Sequence, residues 1–452
     1  MLKVLVLLLA MSFQTYAQGK LVQNIKYGYS KGLRYSLVPL LKEHIYLSKG
    51  NIGSVEKYLQ KIILTVGAKN FEGLDTSVLL QGSTSSMRYL AAKKIFGEGD
   101  YEKAQNLFSR ISTSSTFFPF AQNFLAVISY LKKDYSKSLS YYQSCLSSSA
   151  SRLDDSLSTR VYKQIKVNRD ICIAGIPRVH YAQRKYKKAD YTYLDLDKRS
   201  IAWPPILLEE AWSSYYREHY NRTLGKLVTY KAPQLRFVTN PEIFVLRATT
   251  YLRMCLYGDV SKVVEDFYNR YEKTAQKSEQ IIKQNKENPD YYYQLVRNYR
   301  NEVNQEFQYA LKGVYKSPNV KSFFDNIRYA EAERKKIRRV RSSGLRTLLN
   351  NNIDEFIKIQ KKVIGLVAHN KLEKHGIDLR KSFQAMSYIK LEVLGRKKEA
   401  LYEGKEFSTK RGDIKYLKRN DRQYFWSFNK EFWSDELGDY VFALPVECPD
   451  EK

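Results

Sequence analysis

The sequence predicts an all-α protein: a solenoid of stacked helical hairpins, followed by long helices and a short C-terminal segment that can form a β-hairpin. Three observations lead to this fold class. Small and apolar residues recur with a period of about 34 residues in the region 85–271. Residues 321–403 contain no proline, and their apolar positions follow helical spacing. Hydrophobic residues make up 43% of the 452 residues, which allows a sizeable core and excludes a disordered polar chain.

The N-terminal segment 1–17 indicates an export signal. Lys3 precedes an uninterrupted apolar run from Val4 to Met11, and Thr15 and Ala17 are small residues of the kind that signal peptidase accepts. The run is too short to cross about 30 Å of hydrocarbon, which argues against a retained anchor. No later stretch approaches a transmembrane helix. We therefore expect cleavage after Ala17 and an exported, periplasmic product that can associate peripherally with the outer membrane.

The charge predicts acidic surroundings. The chain has 76 Lys and Arg against 47 Asp and Glu, a net charge of +29, and the densest basic run is Arg334–Arg341. Export separates the chain from nucleic acid, so we expect no nucleic-acid partner. An anionic envelope polymer, an anionic lipid surface or an acidic protein remains as a partner, and the alternative is a solvated helix face.

Residues 18–84 form a predicted N-terminal helical region with one weak repeat around Ile52. Beyond it, from residue 85, a shift of about 34 residues brings matching residue types into register. It aligns Ala92 with Ala126, Gly99-Asp100-Tyr101 with Lys133-Asp134-Tyr135, Ala104 with Ser138, and Phe108 with Tyr142. The small residues let two helices cross closely, and the aromatic residue after the turn packs between them. This period and these residue types are the signature of the tetratricopeptide repeat.

The same pattern continues to about residue 271. Tyr186, Ala189 and Tyr193 match Tyr220, Thr223 and Leu227 at the same spacing, and a further copy lies near residues 258–260. The longer spacing between Tyr135 and Tyr186 predicts an extended helix from about 156 to 181. A stack of five or six repeats would bury a continuous core, which no single repeat can do.

The C-terminal part departs from the repeat. Residues 272–417 predict a region of long helices, in which Gln360 is the one polar interruption of an apolar stripe. Residues 418–452 carry aromatic stretches on both sides of the polar turn Ser434–Asp439, which suggests a small hairpin docked on the helices.

Several motifs resemble exported tetratricopeptide proteins of predatory and gliding bacteria. They are Ala202-Trp203-Pro204-Pro205, Glu209-Glu210-Ala211-Trp212, Thr223-Leu224-Gly225-Lys226-Leu227 and the ending from Glu431 to Tyr440. The resemblance spans residues 85–270 and the last thirty residues. Some members of that group belong to envelope complexes linked to gliding motility, so the resemblance implies a role in such a complex.

Catalytic and metal-binding motifs are missing from the sequence. The five histidines form no pair at i, i+3 or i, i+4, and the chain has no Gly-rich phosphate loop and no Gly-x-Ser-x-Gly. We therefore expect no enzymatic activity, no cofactor and no bound metal.

The four cysteines are Cys145, Cys172, Cys255 and Cys448. In an antiparallel helix pair that turns near Ser151, Cys145 and Cys172 would lie about 20 Å apart, too far for a disulfide. Cys255 and Cys448 can bond only if the tail folds back on the solenoid. Buried free thiols are the reading that we favour.

The concave face, formed by the first helices of the repeats, is the predicted binding surface. Steps of i, i+4 and i+7 place on it Tyr89, Lys93 and Phe96, then Asn123, Val127 and Tyr130, then Leu208, Trp212 and Tyr215. Such a face suits an extended peptide or a partner helix, unless the C-terminal helices fill it. The sequence thus predicts a periplasmic protein–protein interaction scaffold of a cell-envelope complex. The alternative is a protein that binds peptidoglycan or an envelope polysaccharide.

Overall fold

The structure, a computed structural model, describes residues 18–154, 156–286, 288–402 and 431–448. The predicted signal peptide and the aromatic stretch Tyr424–Phe428 lie outside the described residues. The regular elements within the described ranges are all helical, so the all-α prediction is confirmed. None of the described helices combines the length and the apolar character that a membrane-spanning helix requires.

The described residues contain eighteen α-helices. The first, α1, covers residues 18–30, and the others are α2 (Val38–Leu47), α3 (Glu56–Val66), α4 (Thr76–Gln81), α5 (Ser85–Gly97), α6 (Tyr101–Ser109), α7 (Phe118–Leu131), α8 (Tyr135–Ala150), α9 (Thr159–Ala182), α10 (Tyr186–Tyr193), α11 (Trp203–Tyr216), α12 (Tyr220–Val228), α13 (Glu242–Arg253), α14 (Tyr257–Gln284), α15 (Pro289–Arg297), α16 (Gln305–Lys316), α17 (Pro318–Ile337) and α18 (Ser343–Tyr402).

The helices divide into two compact units. Unit 1 comprises residues up to Val179 together with Lys321–Val363, and unit 2 comprises His180–Val320 together with the residues from Ile364 onward. Within each unit, consecutive helices pack as hairpins: α5 with α6 and α7 with α8 in unit 1, and α11 with α12 and α13 with α14 in unit 2. Helix α9 corresponds to the extended helix that the sequence predicts.

The turns of five successive hairpins share one backbone geometry. One residue in each turn has a left-handed φ between 59° and 90°: Gly99, Lys133, Arg184, Glu218 and Cys255. The next residue donates its N–H to the carbonyl five residues back, as Asp134 does to Ser129 at 2.9 Å. This hydrogen bond closes the end of the first helix. In two turns an aspartate then caps the second helix, since the Asp100 and Asp134 side chains accept from the N–H groups of Lys103 and Lys137.

Small residues lie where the two helices of a hairpin cross. The buried ones are Ala92, Ala104, Ala126, Ser138, Ala189, Ala211, Thr223 and Ala248. The Ser138 hydroxyl also donates to the carbonyl of Ala126 at 2.9 Å, which ties α8 to α7. The small residues that the repeat pattern aligned are therefore buried at these crossings.

Two long helices, α17 and α18, follow the hairpins. In unit 1, the Glu333 carboxylate of α17 accepts the N–H groups of Arg34, Tyr35 and Ser36 at 2.7–3.1 Å, just before α2. In unit 2, Phe383 of α18 packs edge-on against Phe267 of α14, with 4.9 Å between the ring centroids. Long helices in this region were predicted, and their buried contacts hold them to the shorter ones.

The C-terminal segment, residues 431–448, crosses helices of unit 2 without forming a strand. The predicted turn at 434–439 is present. The first arm of the predicted hairpin lies outside the described residues, and the described main chain forms hydrogen bonds with groups on α12 and around the turn after α13.

Both disulfides contradict the prediction of free thiols. Cys145 bonds to Cys172, with their Cα atoms 6.3 Å apart, and Cys255 bonds to Cys448. Asn168 of α9 also contacts Cys145 and Ser149 of α8, so the two helices run antiparallel. In this register the first two turns of α9 project about 12 Å beyond the end of α8. The predicted separation of about 20 Å between Cys145 and Cys172 was wrong, because it assumed that the end of α8 and the start of α9 lie side by side.

Candidate functional site

Six aromatic rings form a cluster in unit 2, on the end of α9, α10, α11 and the start of α12. They are Tyr181, Tyr186, Trp212, Tyr215, Tyr216 and Tyr220. Tyr216 lies at the centre: its ring stacks on Tyr186 at 4.9 Å and on Trp212 at 5.8 Å. We call these six residues the aromatic cluster. Its two predicted members are Trp212 and Tyr215.

The aromatic cluster is partly open to solvent. Tyr216 is 48% exposed, and Tyr191 on α10 is 60% exposed. The Arg217 guanidinium lies over the Tyr191 ring at 5.9 Å, and its other partner is the buried Asp190 carboxylate. Tyr216 and Tyr191 are therefore accessible to a partner, whereas the Arg217 side chain is only 17% exposed.

Polar neighbours fix the orientation of two rings. The indole N–H of Trp212 donates to Glu242 Oε1 of α13 at 2.8 Å. The Arg253 Nε donates to the Tyr215 hydroxyl at 3.4 Å. Burial raises the pKa of Tyr181, and the nearby hydroxyls of Tyr216 and Tyr186 raise it further. Trp212 and Tyr215 are thus held in place, and the Tyr181 hydroxyl stays protonated at neutral pH.

The aromatic cluster contains a ring contact that recurs at the turns of the hairpins. An aromatic pair five residues apart packs across four of the turns: Phe96 with Tyr101, Tyr130 with Tyr135, Tyr181 with Tyr186, and Tyr215 with Tyr220, at 5.3–6.0 Å. Phe96 and Tyr130, two predicted binding residues, therefore belong to turns of unit 1. In unit 2 Trp212 and Tyr216 join two such pairs into one surface.

Tyr89 does not face an open groove. Its side chain is 6% exposed and stacks on the Phe117 ring at 4.6 Å. Burial raises the pKa of its hydroxyl. Helical spacing placed Tyr89 on the same side of α5 as Phe96, but the residues just before α7 cover it. The prediction of Tyr89 as an accessible residue is wrong.

Lys93 and Asn123 are half-buried in unit 1. Burial lowers the pKa of Lys93, and the Glu72 carboxylate partly opposes that shift. Asn123 donates from Nδ2 to Asn168 Oδ1 at 3.1 Å, and Asn168 in turn contacts the sulfur of Cys145. Asn123 therefore belongs to a polar network next to a disulfide.

The basic run lies at the end of α17 and in the turn before α18. Ile337 and Val340 are buried, whereas Arg338, Arg339 and Arg341 are exposed. The two buried residues anchor the turn, which directs the arginines to solvent.

Trp212 and Tyr215 contact residues of α11, α12 and α13. In unit 2, α18 instead packs through Leu379, Met386 and Val393 into the core that α13 and α14 form. Sequence reasoning missed Tyr181, Tyr186, Tyr216 and Tyr220 as binding residues. The recurrence of aromatic pairs five residues apart, in four of the five turns, was the signal that would have found all of these except Tyr216.

Among the described residues, no group of three or more His, Cys, Asp or Glu side chains is placed to hold a metal ion. No protein-family model matches the chain, and no curated protein matches it either.

Proposed function

We propose that the chain is a protein–protein interaction scaffold built from tetratricopeptide-type hairpins. Two features support this proposal: the left-handed turn residue that recurs at the predicted spacing, and the small buried residues at the helix crossings. A hairpin of this kind buries its apolar face only against a neighbour, so the repeats stack and leave one face of each for a partner.

The aromatic cluster is the observation that carries the proposed function. Tryptophan and tyrosine residues dominate the energetics of protein interfaces, because they bury a large area and keep a polar edge. Here the cluster is held in one arrangement by Glu242 and Arg253, which lowers the entropy lost on binding. An extended peptide or a partner helix fits such a surface.

We propose further that the scaffold works outside the cytoplasm, in the periplasm and in a complex of the cell envelope. The two disulfides, which use all four cysteines, support an oxidising compartment. The predicted signal peptide points to the same compartment. The connection to motility rests only on the resemblance of the four motifs, which lie in residues 202–227 and 431–440.

The test is capture of partners from envelope extracts by the tagged full-length protein. We expect Trp212→Ala and Tyr216→Ala to reduce capture at least tenfold, with unchanged helical circular dichroism. Tyr388→Ala is the control, because that ring on α18 is 64% exposed and lies outside the cluster. Equal capture by all three variants and the wild type would contradict the proposal.

Binding of an anionic envelope polysaccharide is the second candidate, and the exposed Arg338, Arg339 and Arg341 favour it. Co-sedimentation with purified peptidoglycan tests it. A polysaccharide-binding protein would sediment at low salt, and the triple Arg→Gln variant would not. Binding through these charges falls steeply as ionic strength rises, whereas binding through the aromatic cluster does not.

A further inference from the structure

One face of α12 contacts the C-terminal segment through the main chain of that segment. Asn221, Gly225 and Thr229 lie four residues apart, so they share this face. The Asn221 Nδ2 donates to the carbonyl of Leu444 at 2.9 Å, and its Oδ1 accepts the N–H of Leu444 at 3.0 Å. The main-chain carbonyl of Asn221 accepts the N–H of Phe442 at 3.0 Å.

The other two residues of this face, Gly225 and Thr229, contact the main chain of the C-terminal segment before residue 442. The Thr229 hydroxyl accepts the N–H of Gly438 at 3.0 Å. At Gly225, a Cβ atom would lie 1.6 Å from the carbonyl oxygen of Tyr440, so only glycine allows the segment to come this close. Residues 440, 442 and 444 are every second residue, which is the period of an extended peptide, whereas Gly438 lies in the turn at 434–439.

Two further contacts define the chemistry of the bound peptide. Lys198 donates to the carbonyl of Asp435 at 2.6 Å and forms an ion pair with the Asp439 carboxylate. Leu437 is the buried apolar residue of the segment, 6% exposed. Phe442 and Leu444 also pack against the core of unit 2. The face therefore suits an acidic peptide that forms a turn around an aliphatic residue and continues as an extended stretch with further apolar side chains, and the positive charge of the whole chain favours the same ligand.

A disulfide holds the C-terminal end of the segment 431–448 to the turn after α13. Glu447 donates its N–H to the carbonyl of Met254 at 2.9 Å, and the next residue, Cys448, bonds to Cys255. Both of these cysteines are partly exposed, whereas Cys145 and Cys172 are fully buried. A reductant in solution therefore reaches the Cys255–Cys448 bond far more easily than the other one.

We propose that this face of α12 is a binding site for an acidic peptide made of a turn and an extended stretch, that the C-terminal segment occupies it in cis, and that the Cys255–Cys448 bond keeps other peptides out. A tethered occupant has a high effective concentration, so a peptide in solution cannot displace it while the bond is intact. A dithiol supplies two electrons and two protons: its own disulfide forms, the Cys255–Cys448 bond breaks, and two thiols result. The inference does not depend on the aromatic cluster, because it concerns other residues.

The first experiment measures hydrogen exchange in the full-length protein. Gly438, Phe442, Leu444 and Glu447 donate their amide protons to the rest of unit 2. We expect mild reduction, or Cys448→Ser, to speed exchange in residues 431–448 at least tenfold. Alkylation followed by mass measurement must show two new thiols, not four. Unchanged exchange after reduction would overturn the role of the disulfide.

The second experiment tests the site with a defined probe, a fluorescein-labelled synthetic peptide of residues 431–447. The recipient is the full-length variant Phe442→Pro/Leu444→Pro/Cys448→Ser, in which the cis segment loses two hydrogen-bond donors, two packed apolar side chains and its tether. Fluorescence anisotropy should show binding at least tenfold tighter than to the oxidised wild type. Circular dichroism checks that the variant is folded.

Two changes show whether the main chain is what the site recognises. Adding Asn221→Ala to the recipient should weaken binding at least tenfold. N-methylation of the peptide at residues 442 and 444 should do the same, because it removes the two N–H donors and leaves every side chain intact. Failure of the unmodified peptide to bind the folded recipient, or equal binding of the methylated one, would overturn the site, whatever Trp212→Ala does to partner capture.

Discussion

Gln360 and Asn70 form a hydrogen bond inside unit 1, where both side chains are buried: Gln360 Nε2 donates to Asn70 Oδ1. Gln360 is 1% exposed, and its Oε1 accepts from Asn326 Nδ2 at 2.9 Å. Asn70 and Asn326 both donate to the carbonyl of Val66 as well. The single polar interruption of the apolar stripe on α18 therefore joins that helix to α17 and to the end of α3.

Replacement of this glutamine should destabilise unit 1. Gln360→Leu leaves the buried Asn70 Oδ1 without a donor and removes one of the two acceptors of Asn326 Nδ2, so we expect a loss of about 1–3 kcal/mol. Urea unfolding followed by circular dichroism measures it. Lys358→Leu, at an exposed position on the same helix, is the control and should change stability by less than about 0.5 kcal/mol. Equal midpoints for the two variants would contradict the buried network.

The helices and their turns were predictable because their signals are local. The turn residues Gly99 and Lys133, the capping residues Asp100 and Asp134, and small residues such as Ala126 all act within one hairpin. The register between hairpins is different. This register places Cys145 opposite Cys172. It depends on the path and length of the segment between the end of α8 and the start of α9. Residue types alone do not fix that path.

The candidate site was predictable only in part, for a related reason. Helical spacing gives the side of a helix on which Tyr89 or Trp212 lies, but not whether a neighbouring element covers that side. Phe117 covers Tyr89, whereas Trp212 borders the exposed ring of Tyr216. The pairing of Asn221 with Leu444 joins residues 223 positions apart, and it has no local signal at all.

The cysteines give a prediction that separates the two disulfides. Protein denatured without reductant should contain no thiol that reacts with iodoacetamide, because all four cysteines are paired. Folded protein treated briefly with a mild reductant should gain two, at Cys255 and Cys448, since the other pair is fully buried. Peptide mass mapping locates the label. Four reactive thiols before any reduction would restore the free-thiol interpretation.

His375 on α18 should make the protein less stable in mild acid. Burial lowers its pKa from the ordinary 6.5 to about 4, and the Asp378 carboxylate opposes this shift. Above pH 6.5 the imidazole is neutral in both states and has no effect. As the pH falls from 6.5 towards 4, the imidazole binds a proton in the unfolded chain but not in the folded chain. The free energy of unfolding therefore decreases.

His375→Gln removes this titration and keeps a polar side chain. The drop in Tm between pH 7.5 and pH 5 should therefore be smaller in the variant than in the wild type. Some drop remains, because burial also lowers the pKa of His44 and of His180. Differential scanning fluorimetry at both pH values measures it, and parallel curves for the two proteins would contradict a buried, neutral His375.

Tyr130 and Tyr216 should separate a structural ring from a binding ring. Tyr130 packs on Tyr135 across a turn of unit 1, so Tyr130→Ala should cost about 1–2 kcal/mol of stability and leave partner capture unchanged. Tyr216 contacts four other rings and still exposes 48% of its side chain. Tyr216→Ala should thus reduce capture at least tenfold.

Thermal melts and capture from envelope extracts are measured on the same preparations, so that lost capture cannot be attributed to unfolding. The wild type and Tyr388→Ala set the scale for each measurement. The proposed function requires the two effects to separate: stability falls in Tyr130→Ala, and capture falls in Tyr216→Ala. An equal loss of capture in both variants would mean that partners bind the aromatic pairs of the turns in general. The aromatic cluster would then contribute no more to partner binding than the other aromatic pairs do.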